Sequence, residues 1–194
     1  MSETQTDVID IRFYGRGGQG VVTASRLIGE AGLLQGKYVH AFPAFGPERI
    51  GAPVQAFTRI SNNRFYEKCE VVYPDIVCVL DPTLYGILGQ AIVSGLDEEK
   101  GVLISNYKES PEELRKELKL NPNIKVGVVD ATSIAIDVIG RAITNTVILG
   151  ALIKAAEVVD LENIIKVTKK RFPGEIGEKN AEAIRRAYNE VVIS

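Results

Sequence analysis

The stretch that most constrains the fold is residues 75–131. There three short, continuous apolar runs, "DIVCVL", "GVLIS" and "IKVGVVDA", alternate with helix-like segments. A strand with apolar side chains on both faces must be covered on both faces. Strands of that kind, spaced by amphipathic helices, specify a mostly parallel sheet between two helical layers. The spacers fit. Leu84, Ile87, Leu88, Ala91, Ile92 and Leu96 recur at helical spacing after the first run. In "SPEELRKELKL", Ser110 can cap a helix, Pro111 suits its first turn and Glu113 completes a capping box.

The N-terminal half follows the same grammar with one interruption. Val8–Tyr14 reads as a buried strand that enters "GRGGQG". Val21, Ala24, Leu27, Ile28, Ala31 and Leu34 then form a helical face that ends at Gly36. "KYVHAF" is a second strand, followed by "PAFGPERIGAP", whose three prolines and two glycines suit neither helix nor strand. "VQAFTRI" and "RFYE", joined across "NN", read as an antiparallel hairpin at the sheet edge. Helices are expected around Ile143–Val158, Leu161–Phe172 and Gly177–Val192, with Phe172-Pro173-Gly174 as a break. The reading is one α/β domain over residues 1–194. It has a mostly parallel, Rossmann-like sheet with helices on both faces, an antiparallel edge hairpin and a helical C-terminal part.

Composition removes several functions. Twenty-three basic and 25 acidic residues give a net charge of −2, and no basic run is present. Nucleic acid and anionic membranes are therefore not expected partners. The apolar stretch Ile143–Ala156 is broken by Asn145 and Lys154 and falls short of the ~20 residues of a spanning helix. The polar start "MSETQTD" has no apolar signal core, so a cytoplasmic location is expected. Cys69 and Cys78 are the only cysteines and His40 the only histidine. That set offers no metal site, no iron–sulfur cluster and no Ser-His-Asp triad. His40 reads as a structural side chain.

Gly15, Gly17 and Gly20 satisfy the G-x-G-x-x-G pattern, with Gly18 as a further glycine between them. A strand, a glycine loop and a helix together aim backbone N–H groups and a helix dipole at one point, which favours an anion. Arg16 could add a bidentate contact and Gln19 a neutral one. The competing reading is a close-packed corner that only glycine tolerates. NAD binding further expects an acidic residue about twenty positions on, to hold the ribose. No Asp or Glu lies between Glu30 and Glu48, and no arginine for NADP appears before Arg49. The proline-rich loop offers Phe42, Phe45 and Arg49, with Glu48 beside them, as docking anchors on a stiffened backbone. A solvated surface loop is the alternative. Asp81 suits either a site carboxylate or a helix cap.

Three of these segments also carry a family likeness. "IRFYGRGGQGVVTASRLIGEA", "HAFPAFGPERIGAPVQAFTRI" and "PDIVCVLDPTL" together resemble the gamma subunit of 2-oxoacid:ferredoxin oxidoreductases, in its pyruvate:ferredoxin (pyruvate synthase) branch. The resemblance implies a complex that converts a 2-oxoacid, coenzyme A and oxidised ferredoxin to acyl-CoA, carbon dioxide and reduced ferredoxin. It places thiamine diphosphate, magnesium and iron–sulfur clusters on partner subunits, thiamine-binding and ferredoxin-like, with ferredoxin reached through the complex. This chain would contribute assembly and coenzyme A binding through Gly15, Arg16, Gly17, Gly18, Gln19 and Gly20, with no catalytic residue and no metal of its own. Two alternatives stand beside it: an independent NAD(P)-dependent oxidoreductase, and a purely structural subunit with an unoccupied loop.

Overall fold

The computed structural model describes residues 7–44 and 50–194. Seven strands form one sheet: β1 (Val8–Arg16), β2 (Tyr38–Pro43), β3 (Pro53–Ser61), β4 (Ile76–Val79), β5 (Val102–Asn106), β6 (Lys125–Val129) and β7 (Val192–Ile193). Their order is β2-β3-β1-β4-β5-β6-β7. β1, β4, β5 and β6 are parallel neighbours, while β3 runs antiparallel to both β1 and β2, and β7 antiparallel to β6. β2 therefore points the same way as β1, and only β3 and β7 run against the sheet.

The apolar runs alternate between faces as a pleated strand requires. Ile11, Phe13, Ile76, Cys78 and Ile104 enter one core, together with α1 (Val21–Leu34). Tyr14, Val77, Val79 and Leu103 enter a second core on the other face. There a broken helical segment, α2 (Tyr85–Leu88) between 3₁₀ turns Pro82–Leu84 and Gly89–Val93, packs beside α3 (Pro111–Leu118). Glycines at 86, 89 and 95 prevent one continuous helix from forming here. α3 begins as its sequence specifies: Ser110 accepts from the Glu113 amide while Glu113 accepts from the Ser110 amide.

The first core is thicker. α4 (Ala131–Ile139), α5 (Val147–Ala156), α6 (Leu161–Arg171) and α7 (Glu175–Glu190) join α1 there. Every apolar residue of α5 is buried except Ala156, which is half-buried, so this helix is a second layer of core and not a surface element. α4 was not evident from sequence, nor was β7. Asp130 starts α4 by accepting from the Ser133 amide, a cap hidden in sequence at the end of an apolar run.

The antiparallel hairpin is the main correction. "VQAFTRI" pairs with "YVHAFP", His40 opposite Arg59, and not with "RFYE". β3 is therefore interior, between β2 and β1, and β2 is the edge. The "RFYE" segment forms no strand because residues 62–74 fold across the sheet face, where two buried arginines hold their carbonyls. Arg12 donates to the carbonyl oxygens of Val71 at 2.6 Å, Val72 at 2.9 Å and Ser94 at 2.8 Å. Arg59 donates to the Cys69 carbonyl at 2.7 Å and to Asp10 at 2.9 Å.

Candidate functional site

The helices after β1 and β4 lie on opposite faces of the sheet. The carboxyl ends of these two adjacent strands thus meet at a topological switch point, the usual place for a ligand in such a sheet. The glycine loop follows the end of β1. Gly18 and Gly20 have φ of 93° and 79°, in the left-handed region that glycine enters without strain. Gly20 occupies the N-cap of α1 with no side-chain cap, and the first turn carries no acidic residue. The leading N–H groups of a 14-residue helix therefore have no side-chain acceptor among the described residues.

A polar network joins the two strand ends. Gln19 accepts from the Arg16 amide at 2.7 Å and donates to Asp81 at 2.6 Å. The Arg16 guanidinium bonds Asp81 at 3.1 Å, Thr83 at 2.7 Å and the Gly51 carbonyl at 2.9 Å. Asp81 in turn accepts from the Thr83 amide and hydroxyl, so it is both a helix cap and the hub of the loop. Burial raises the pKa of its carboxyl, but the bonds from Thr83 and Gln19 and the Arg16 charge outweigh this and hold it below the usual value. Asp81 is an anion locked to a cation. It is not a free base.

The remaining predicted residues fall as follows. Gly15 is buried near the end of β1, and Gly17 hydrogen-bonds the far end of the proline loop, donating to Ala52 at 2.9 Å and accepting from Gly51 at 3.1 Å. Phe42, expected to stand exposed, is 8% exposed. Its place on β2 turns it inward against Phe57, at 5.3 Å between ring centres, with the His40 ring tilted against it at 4.6 Å. Phe45, Glu48 and Arg49 lie outside the described residues; Ile50, just after them, is 97% exposed. His40 is pushed toward its neutral form by burial and then by Arg59 and Lys68.

Sequence reasoning missed two contributors. Thr83 sits in "LDPT", which reads only as a helix start. Asn145 lies far along the chain, yet a Cβ on Gly20 would collide with its amide nitrogen. Asn145 is 7% exposed, and its Oδ1 has no hydrogen-bond partner among the described residues.

Comparison with known proteins decides the family. The model of the pyruvate ferredoxin/flavodoxin oxidoreductase family matches residues 10–190. The chain belongs to that family. It is 49% identical over 186 residues to the common gamma subunit of the pyruvate/ketoisovalerate oxidoreductases of Pyrococcus furiosus, covering 96% of this chain and 98% of that one. The crystal structure of pyruvate oxidoreductase subunit PORC (EC 1.2.7.1) from Thermotoga maritima superposes with a TM-score of 0.85 at 44% identity, covering 97% of this chain and 99% of that one. The 2-oxoglutarate:ferredoxin oxidoreductase of Magnetococcus marinus, solved with 2-oxoglutarate, coenzyme A and succinyl-CoA bound, shares the fold. Its TM-score is 0.75 at 19% identity, over 95% of this chain and 31% of that one. The protein is thus a gamma subunit of a pyruvate or 2-oxoacid:ferredoxin oxidoreductase. In this gamma subunit no group of three or more His, Cys, Asp or Glu side chains able to hold a metal occurs among the described residues. No described helix is long and apolar enough to cross a membrane.

Proposed function

We propose that this gamma subunit gives its oxidoreductase a binding place for a phosphate of coenzyme A at the glycine loop, and that it docks on thiamine-binding and ferredoxin-like subunits through the proline-rich loop. Thiamine diphosphate, magnesium and iron–sulfur clusters belong to those partners, in the cytoplasm, and ferredoxin is reduced by the assembly. The observation that carries the reading is the start of α1. Its leading amides have no side-chain acceptor among the described residues, and its N-cap is a left-handed glycine at the switch point of the sheet. Gly15, Gly17, Gly18 and Gly20 let the backbone approach the ligand. Arg16 and Gln19, bonded to Asp81, hold the loop in shape, so Arg16 acts on the ligand mainly by ordering these amides. Arg49, with Phe45 and Glu48, supplies the docking contacts, and the exposed Ile50 extends that surface.

The test is Gly18→Asn in the assembled enzyme. A Cβ at Gly18 meets nothing within 4 Å, and asparagine tolerates the left-handed backbone, so the fold is kept while a side chain enters the ligand's space. The coenzyme A requirement should rise about tenfold or more, the loss of one charged hydrogen bond, with the 2-oxoacid requirement unchanged. Parent-like coenzyme A kinetics would reduce the loop to a corner. Tight NADH binding would favour the dinucleotide reading instead.

A further inference from the structure

The end of α1 meets the start of α6, where the Gln35 amide donates to Asp160 at 2.8 Å. From there a groove of about 550 Å³ lies between the two helices. Glu30, Leu33 and Leu34 line it from α1, and Lys166, Val167 and Lys170 from α6. Leu33 and Leu34 close the helix at the end opposite the glycine loop, roughly 20 Å away along its axis. Leu34 continues the apolar series of Leu27 and Ala31, yet it emerges past the core and is 49% exposed, beside Leu33 at 57%. Val167, between the two lysines, is buried. Single exposed leucines are ordinary on a protein surface. Two adjacent ones beside a buried valine form an apolar strip that gains from being covered.

The charges are the second observation, and they say what covers the strip. Glu30 stands on the α1 side, while Lys166 and Lys170, one helical turn apart, stand on the α6 side. All three are exposed, and none forms an ion pair among the described residues. One rim is therefore acidic and the other basic, with the leucines on the same face. A partner of a single sign would attract one rim and repel the other. A second copy of this chain, turned about a two-fold axis across the groove, satisfies both. Glu30 of each copy then faces Lys166 and Lys170 of the other, as an isologous interface requires.

We propose that the α1–α6 face pairs two gamma chains about a two-fold axis, with Leu33 and Leu34 at its centre, and so joins two copies of the oxidoreductase. This surface is separate from the glycine loop and from the proline-rich loop. Two helices, each about 10 Å wide and about 15–20 Å long, cover less than the ~800 Å² per partner of a standard interface. The pair is therefore a weak, concentration-dependent dimer. The experiment is sedimentation equilibrium of the full gamma chain from about 1 to 100 μM, the range of a small interface. The parent should approach twice the mass of one chain. Glu30→Lys makes both rims basic, and Lys166→Glu/Lys170→Glu makes both acidic. Each variant alone should dimerise at least tenfold more weakly, because the two-fold axis makes every substitution act twice. An equimolar mixture of the two variants should recover the dimer, since a basic pair of rims then meets an acidic pair. All three positions are exposed, and melting curves verify that the fold is unchanged. A parent that stays monomeric, variants that dimerise as the parent does, or a mixture that fails to associate each overturns the inference. So does loss of incorporation into the assembled oxidoreductase by the variants, which would assign the groove to a different subunit.

Discussion

Replacing Gly20 by alanine tests whether the start of α1 is built as described. Two costs add. The first is conformational: at φ of 79°, an L-residue loses about 1–2 kcal/mol relative to glycine. The second is steric, because the new Cβ collides with the Asn145 amide. Asn145 is buried and cannot swing into solvent, and crowding of this kind costs about 1–3 kcal/mol. Gly20→Ala should therefore destabilise the protein by about 2–5 kcal/mol. With a urea m-value of roughly 2–3 kcal/mol/M, the unfolding midpoint should fall by about 1–2 M. A double-mutant cycle separates the two terms. Asn145→Ala alone should change stability little, because its Oδ1 already lacks a partner and removing an unsatisfied polar group is nearly neutral. In the double variant only the backbone term remains, giving a favourable coupling of about 1–3 kcal/mol. A Gly20→Ala loss below about 1 kcal/mol, or strictly additive effects, would refute the close approach of Asn145 to the cap.

Three further outcomes are expected. Arg12→Met should cost about 3 kcal/mol or more, since charged bonds to the Val71, Val72 and Ser94 carbonyls are lost. Hydrogen exchange should rise in residues 69–73, and unaltered protection there would contradict the role assigned to Arg12. Asp81 has a folded pKa below its unfolded value of about 3.9. Its contribution is therefore complete above that value and lost as pH falls through the folded pKa. Asp81→Asn should lower Tm at pH 7, with the gap from parent closing as pH falls from the unfolded pKa through the folded one; a gap constant with pH would argue against the ion pair with Arg16. One thiol, the exposed Cys69, should react with a disulfide reagent in the native protein, and two in denaturant. Burial raises the Cys78 thiol far above its ordinary pKa, so two fast thiols in the native state would place β4 at the surface.

The parallel centre of the fold was legible because buried strands leave continuous apolar runs and their helices carry local signals, such as the Ser110–Glu113 capping box. The partner of β3 was not. Its alternation suits either neighbour, and the choice was made by Arg12 and Arg59, whose bonds to the 62–74 segment are long-range. α4 was missed because Asp130 caps it directly after a strand, so no polar linker marks the boundary. The glycine loop was legible as a motif, and Asp81 as a candidate carboxylate. Asn145 carries no signal at all: an asparagine inside an apolar stretch reads as a flaw in a helix until the chain brings it against Gly20.

The insertion of β3 also bears on which ligand this loop can accept. In a dinucleotide site the second strand lies beside the first, so a carboxylate at its end reaches the ribose of a ligand held by the glycine loop. Here β3 separates β2 from β1, which moves the end of β2 to about 10 Å from β1 in place of about 5 Å. The intervening space is also filled. Arg16 lies opposite Pro53 in the β1–β3 register, Gly17 bonds to Ala52 and Gly51, and Gly51 takes the Arg16 guanidinium. A ribose in the usual position would meet backbone. The missing acidic residue after Glu30 is therefore not an isolated loss; the topology gives such a residue nothing to hold. Asn145 packs against Gly20 at the N-terminus of α1. The choice between coenzyme A and a nicotinamide dinucleotide is therefore made with variants of the loop, where the two ligands place different demands on the backbone.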